Sequence, residues 1–146
     1  MGAVATGNVR VLHADVVKTF GVSECAIERA TANALQELAH REQVYQGSRP
    51  HLQMTGKTVI LVDDGMGTGT TMQAAIAALK LHRPKRIIVA VPVASVETCE
   101  ELKTEVDEIV CGQTPASFFY AVGLWYEDFS QLTDGDVRKL LERATQ

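Results

Sequence analysis

The chain has 146 residues, of which 46% are hydrophobic, which is enough for one domain with a packed core. Fourteen basic residues (14 Lys+Arg) stand against 18 acidic ones, giving a net charge of −4 and no basic stripe of the kind that binds nucleic acid or a membrane surface. No apolar run approaches the ~20 residues of a membrane span, and the first residues, MGAVATGNVRVL, lack the charged start and apolar core of a signal peptide. A soluble cytoplasmic protein, folded as a single domain over 1–146, is the expectation.

Val9, Val11 and Leu12 predict a short strand after a flexible Gly2 to Gly7 stretch. Residues Val22 to Gln46 predict a helix capped by Ser23, with Ala26, Ile27, Ala30, Ala34, Leu38 and Ala39 on its apolar face. Gly47 and Pro50 end it in a loop that carries Arg49, with Tyr45 and Arg41 just before. This loop reads either as a surface connector or as a lid bringing Arg49 to a phosphate.

Thr58 to Asp63 predicts the central strand. Its four successive apolar residues, Val59 to Val62, point to burial on both faces, as in a parallel sheet. The strand meets two acids, Asp63 and Asp64, then the loop Gly65-Met66-Gly67-Thr68-Gly69-Thr70-Thr71 and an alanine-rich helix from Met72 to Lys80. A second strand, Ile87 to Val93, completes a βαβ unit. A solvated covering helix over Val96 to Thr104 and a third strand over Asp107 to Cys111 follow. The alternation predicts an α/β fold with a mainly parallel sheet flanked by helices. Residues Phe118 to Phe129 hold six aromatics, which read as core or as a platform for a planar base. Thr133 to Ala144 predicts a closing helix with Val137, Leu140 and Leu141 inward.

Cys25, Cys99 and Cys111 are odd in number and far apart, and are expected to be buried or inert thiols. His13, His40, His51 and His82 show no ligand spacing, so they read as structural or surface residues, and no all-protein metal site is expected.

The chemistry concentrates at the loop after Asp64. An ATPase-type P-loop needs a lysine before its hydroxyl residue, and none is present. A dinucleotide loop places its third glycine later and an acid at the end of the next strand, and neither occurs here. Paired acids that precede a glycine and threonine loop suit a ligand with hydroxyls and a phosphate together. Asp63 and Asp64 can accept from hydroxyls. The Gly67, Thr68, Gly69, Thr70 and Thr71 segment can wrap a phosphate at a helix start.

Val59 to Thr71, VILVDDGMGTGTT, resembles the phosphoribosyl-diphosphate (PRPP) motif of type I phosphoribosyltransferases. From Val9 onward the chain is similar to a group of bacterial phosphoribosyltransferases of uncertain substrate, through RExxYxGxRP at Arg41 to Pro50, VPVAS…ETCEEL and AVGLWYEDF. The resemblance implies PRPP or a ribose 5-phosphate nucleotide on Asp63 to Thr71, with magnesium held by the ligand and a nitrogenous base as acceptor. It implies a catalytic set of Asp63, Asp64 and Arg49. It also implies a base site at Tyr120 or Phe119, with Glu127 or Asp128. Gly67 stands where many 6-oxopurine enzymes have an aspartate, which disfavours hypoxanthine and guanine. Type I enzymes also carry an upstream strand and diphosphate loop, for which Met1 to Leu12 is too short. The chain is therefore expected to be a fragment, an internal-start product or a degenerate copy. A non-catalytic PRPP- or nucleotide-binding module is the alternative. Exposed edges of an incomplete sheet imply a homodimer or larger assembly.

Overall fold

The structure is a computed structural model that describes residues 1–47, 52–115 and 121–144. Glycine at the second position and a Gly7-Asn8 turn, both turn residues at positive φ, fold the first twelve residues into a hairpin of β1 (Gly2–Ala5) and β2 (Val9–Leu12). The expected flexible start is therefore a paired strand. A short helix, α1 (Ala14–Thr19), follows, and then α2 (Glu24–Gln46), where the Ser23 hydroxyl accepts from the Ala26 N–H at 3.3 Å.

The seam of α2 differs from the predicted one. Ile27 is buried and Thr31, Leu35 and Leu38 are half-buried, whereas Ala26, Ala30, Ala34 and Ala39 are exposed. The hairpin packs against the first half of α2 and reaches its second half through the Thr6 hydroxyl, which donates to Glu42. Ala30 and Ala34 border a shallow apolar hollow against it.

The main sheet is parallel, in the order β3 (Thr58–Val62), β4 (Arg86–Val93), β5 (Glu108–Gln113). Helix α3 (Thr70–Lys80) and helix α4 (Val96–Leu102) connect the strands. The fold is α/β, with the predicted strand–helix alternation.

The core lies on one face of this sheet. Ile87, Val89 and Val91 of β4 pack with Met72, Ile76 and Leu79 of α3 and with Cys99 and Leu102 of α4. The register places Val59 beside Ile87 and Leu61 beside Val89, so these β3 residues join the covered face. Ile60 and Val62 point the other way and are 57% and 76% exposed. The expectation of burial on both faces fails for β3, because its alternate residues meet no covering element among the described residues. In α4 the acids are exposed while Thr98, Cys99 and Leu102 are buried, so it covers the sheet with an apolar face of its own.

The hairpin lies along α3. Gly7 approaches Leu81 at the C-terminal end of the helix, and His13 reaches Thr70 at its start. The lengths match: the extended stretch from Gly7 to His13 spans about 20 Å, and the helix from Thr70 to Leu81 rises about 16 Å.

Helix α5 (Asp134–Ala144) starts with a reciprocal cap. The Thr133 N–H donates to the Asp136 carboxylate at 3.2 Å, and the Asp136 N–H donates to the Thr133 hydroxyl at 3.3 Å. Val137 and Leu141 are half-buried as expected, but Leu140 is 51% exposed. Of the thiols, Cys99 is buried and Cys111 half-buried, whereas Cys25 on α2 is exposed. Burial, with Cys111 nearby, pushes the Cys99 thiol up from its ordinary value.

Candidate functional site: the loop between β3 and α3

The site grows from the end of β3. After Val62 the chain bulges out through Asp63, Asp64 and Gly65, then returns to the sheet at Met66. There the Met66 N–H donates to the Val93 carbonyl at 3.0 Å, and the Ser95 N–H donates to the Met66 carbonyl at 3.1 Å. Met66 is buried, so the loop is pinned in its middle while both acids stand at the strand tip. Asp63 is half-buried and accepts from the Asp64 N–H at 3.0 Å. Burial raises its pKa above the ordinary carboxylate value, and the Asp64 N–H acts against that rise. Asp64 is exposed.

Helix α4 holds the loop from below. The Thr98 hydroxyl donates to the Gly67 carbonyl, and the Ser95 hydroxyl donates to Thr98 at 2.9 Å. Gly69 is required twice over. Its φ is +68°, and a Cβ there would come within 2.6 Å of the Thr98 methyl. It is also the N-cap of α3, where it offers no side chain to the first-turn N–H groups, and no acid stands in that turn. The start of α3 is thus open to an anion, with N–H groups and the positive end of the helix dipole facing it. Thr68 and Thr71 are exposed at this cradle, and Thr70 is buried beneath it.

Two contributors escaped sequence reasoning. His13 Nε2 shares a hydrogen bond with the Thr70 hydroxyl, which in turn lies 3.0 Å from the Thr68 hydroxyl. Read as merely structural or surface, His13 is in contact with the loop; 57 residues of separation left no signal for that in the sequence. The other is Tyr126, whose hydroxyl donates to the Asp64 carbonyl at 2.6 Å. The preceding short 3-10 helix, Val122–Trp125, sets Val122 against Gly65, where a Cβ would meet its methyl at 2.7 Å. The aromatic segment therefore does come to the acids, as its motif suggested, through a residue not singled out.

Of the remaining candidates, Arg49, Phe119 and Tyr120 lie outside the described residues. Glu127 is exposed beside Tyr126, and Asp128 accepts from Ser130, which lowers its pKa. Arg41 donates to Glu37 at 2.7 Å, and Tyr45 donates to Asp134 at 2.7 Å, joining α2 to α5. The structure therefore gathers Asp63, Asp64, Gly67, Thr68, Gly69, Thr70 and Thr71 at one end of the sheet.

The phosphoribosyl transferase domain pattern matches residues 10–124, which spans this whole loop. The chain belongs to the phosphoribosyl transferase family. It is 35% identical over 143 residues to a Mycobacterium tuberculosis protein whose name assigns it provisionally to the phosphoribosyl transferases, covering 98% of this chain and 32% of that one. It is 47% identical over 58 residues to the bifunctional protein PyrR of Thermus aquaticus, covering 39% of this chain and 32% of PyrR. A crystal structure of a Thermus thermophilus protein superposes with a TM-score of 0.74 at 37% identity, covering 96% of this chain and 65% of that one. The chain thus spans about a third of the length of the Mycobacterium tuberculosis relative, and the segment matched in PyrR is about a third of that protein. Among the described residues no helix is long and apolar enough to cross a membrane.

Proposed function

We propose that this chain binds PRPP, or a ribose 5-phosphate nucleotide, and transfers the phosphoribosyl group to a nitrogenous base with release of diphosphate. One observation carries the reading: paired acids at the tip of a parallel strand run directly into an uncapped helix start lined with threonines. In this reading Asp63 and Asp64 accept from the ribose hydroxyls. The first-turn N–H groups of α3 and the Thr68 and Thr71 hydroxyls hold the 5′-phosphate. Tyr126 fixes the Asp64 backbone from the side of the aromatic segment. The bond from the anomeric carbon to diphosphate breaks with its electron pair on the departing oxygen. The lone pair of a base nitrogen forms the new carbon–nitrogen bond, and the proton of that nitrogen passes to the departing diphosphate or to water. The side chains contribute position and charge stabilisation and no covalent nucleophile.

Magnesium suits the donor set, since carboxylates are hard oxygen donors, and two of them leave most of its coordination to the ligand's oxygens. Asp63 and Asp64 would be the residues nearest to it, and it would offset the diphosphate charge.

The test is titration calorimetry with PRPP and magnesium, alongside diphosphate release across a panel of bases. Replacing Asp63→Asn together with Asp64→Asn is expected to weaken PRPP binding about tenfold or more. Unchanged affinity would sink the site assignment. Tight binding without release for any base would instead identify a PRPP-sensing or regulatory module. We also propose a cytoplasmic protein that works as a homodimer or larger assembly.

A further inference from the structure

The contact between His13 and Thr70 joins the hairpin to the anion cradle and has a direction. Thr70 is 8% exposed, and its hydroxyl, with a single proton, lies within hydrogen-bond reach of two neighbours, His13 Nε2 and the Thr68 oxygen. A hydroxyl donates once and accepts with the lone pairs that remain. If Thr68 is to give its proton to a phosphate oxygen, it must accept from Thr70. Thr70 has then spent its only proton and must accept from His13. Nε2 must therefore carry a proton.

The backbone around His13 supports this use. His13 is the N-cap residue of α1 but makes no side-chain cap bond, so the imidazole is not engaged in capping. Its main chain is fixed on both sides: its N–H donates to the Met1 carbonyl at 2.9 Å, and its carbonyl accepts from Val17 at 3.0 Å. A half-buried ring on a pinned backbone presents Nε2 to Thr70 in the first turn of α3.

We propose that His13 is a positioning residue for the phosphate cradle. Its Nε2–H donates to Thr70, Thr70 donates to Thr68, and Thr68 is thereby aimed as a donor at the bound phosphate. This rests on the phosphoribosyl reading of the loop. It adds a device from outside the motif that sets which way the hydroxyls point.

The experiment measures ribose 5-phosphate affinity by calorimetry on the full chain, with melting temperature recorded in parallel. His13→Leu removes the donor and is expected to weaken binding about fivefold, the loss of one modest hydrogen bond. His13→Gln places an amide N–H near the position of Nε2 and is expected to restore affinity to within about twofold. In a Thr70→Val background, where the chain is already broken, His13→Leu is expected to add nothing. A merely structural contact would lower the melting temperature without this rescue or non-additivity, and that pattern would overturn the proposal. If the unmodified protein binds and the Asp63→Asn, Asp64→Asn variant does not, yet His13→Leu matches the unmodified protein, the relay fails alone. If the unmodified protein does not bind ribose 5-phosphate, the phosphoribosyl reading fails and takes the relay with it.

Discussion

At the scale of single residues, the acids and glycines of the loop carry opposite costs. Asp63 has a folded-state pKa raised by burial. A raised carboxylate contributes its stability when protonated, below the unfolded pKa near 3.9, and loses it as pH rises through the folded value. At neutral pH the ionised Asp63 therefore destabilises the fold slightly. Asp63→Asn keeps an acceptor for the Asp64 N–H and removes the buried charge. It is expected to raise the melting temperature at pH 7 by about 2 °C or less, with the gain vanishing near pH 3. Scanning calorimetry at the two pH values checks both halves. Gly69→Ala works the other way. It forces a non-glycine residue to φ +68° and drives a methyl into Thr98. A loss of about 2–4 kcal/mol is expected in denaturant unfolding, together with loss of ribose 5-phosphate binding. The placement of Asp63, Asp64 and the glycines between a strand tip and a helix start could be read from the sequence, because it depends on local spacing within a single short motif. The contacts of His13 and Tyr126 could not, because their partners lie 57 and 62 residues away and nothing in the AVGLWYEDF segment marks Tyr126 as the residue that meets Asp64.

At the scale of elements, the loop is built as much by α4 as by α3. Thr98 is 4% exposed, and its hydroxyl satisfies the Gly67 carbonyl that faces it. Thr98→Val keeps the shape that packs on Gly69 and removes the donor. It is expected to cost about 1–3 kcal/mol, the desolvation of a carbonyl left short of a partner, and to weaken phosphate binding through a looser loop. Urea unfolding and calorimetry on the same variant separate the two effects. Equal stability would show that Ser95, which lies 3.4 Å from the same carbonyl, suffices. The strand–helix alternation was legible, because β3 and β4 are short apolar runs separated by a loop and an alanine-rich helical stretch of the length a βαβ unit needs. Two features were not. The apolar run in β3 looks the same in sequence whether one face or two are covered, and only the placement of neighbouring elements decides which. The alanines of α2 likewise carry no mark that distinguishes a packed helix face from an uncovered one.

At the scale of the whole molecule, the open side of the sheet decides how the chain behaves in solution. Strand β3 pairs with β4 on one edge, and its other edge meets no strand among the described residues. The same strand turns Ile60 and Val62 outward, with Val110 of β5 52% exposed on that face, in a row running through Ala90. An unpaired edge beside an exposed apolar face is the arrangement that draws in another chain. A second copy suits it best, because two identical β3 edges meeting about a two-fold axis run antiparallel, and each satisfies the other's backbone groups. A dimer or larger assembly is therefore expected at micromolar concentration by light scattering. Ile60→Lys with Val62→Glu is expected to shift the population toward monomer while leaving ribose 5-phosphate binding within about twofold, since neither residue lines the cradle and the strand keeps its ladder to β4. A monodisperse monomer for the unmodified chain would refute the pairing, and loss of binding in the assembly-deficient variant would show that the site needs its partner copy to stay formed.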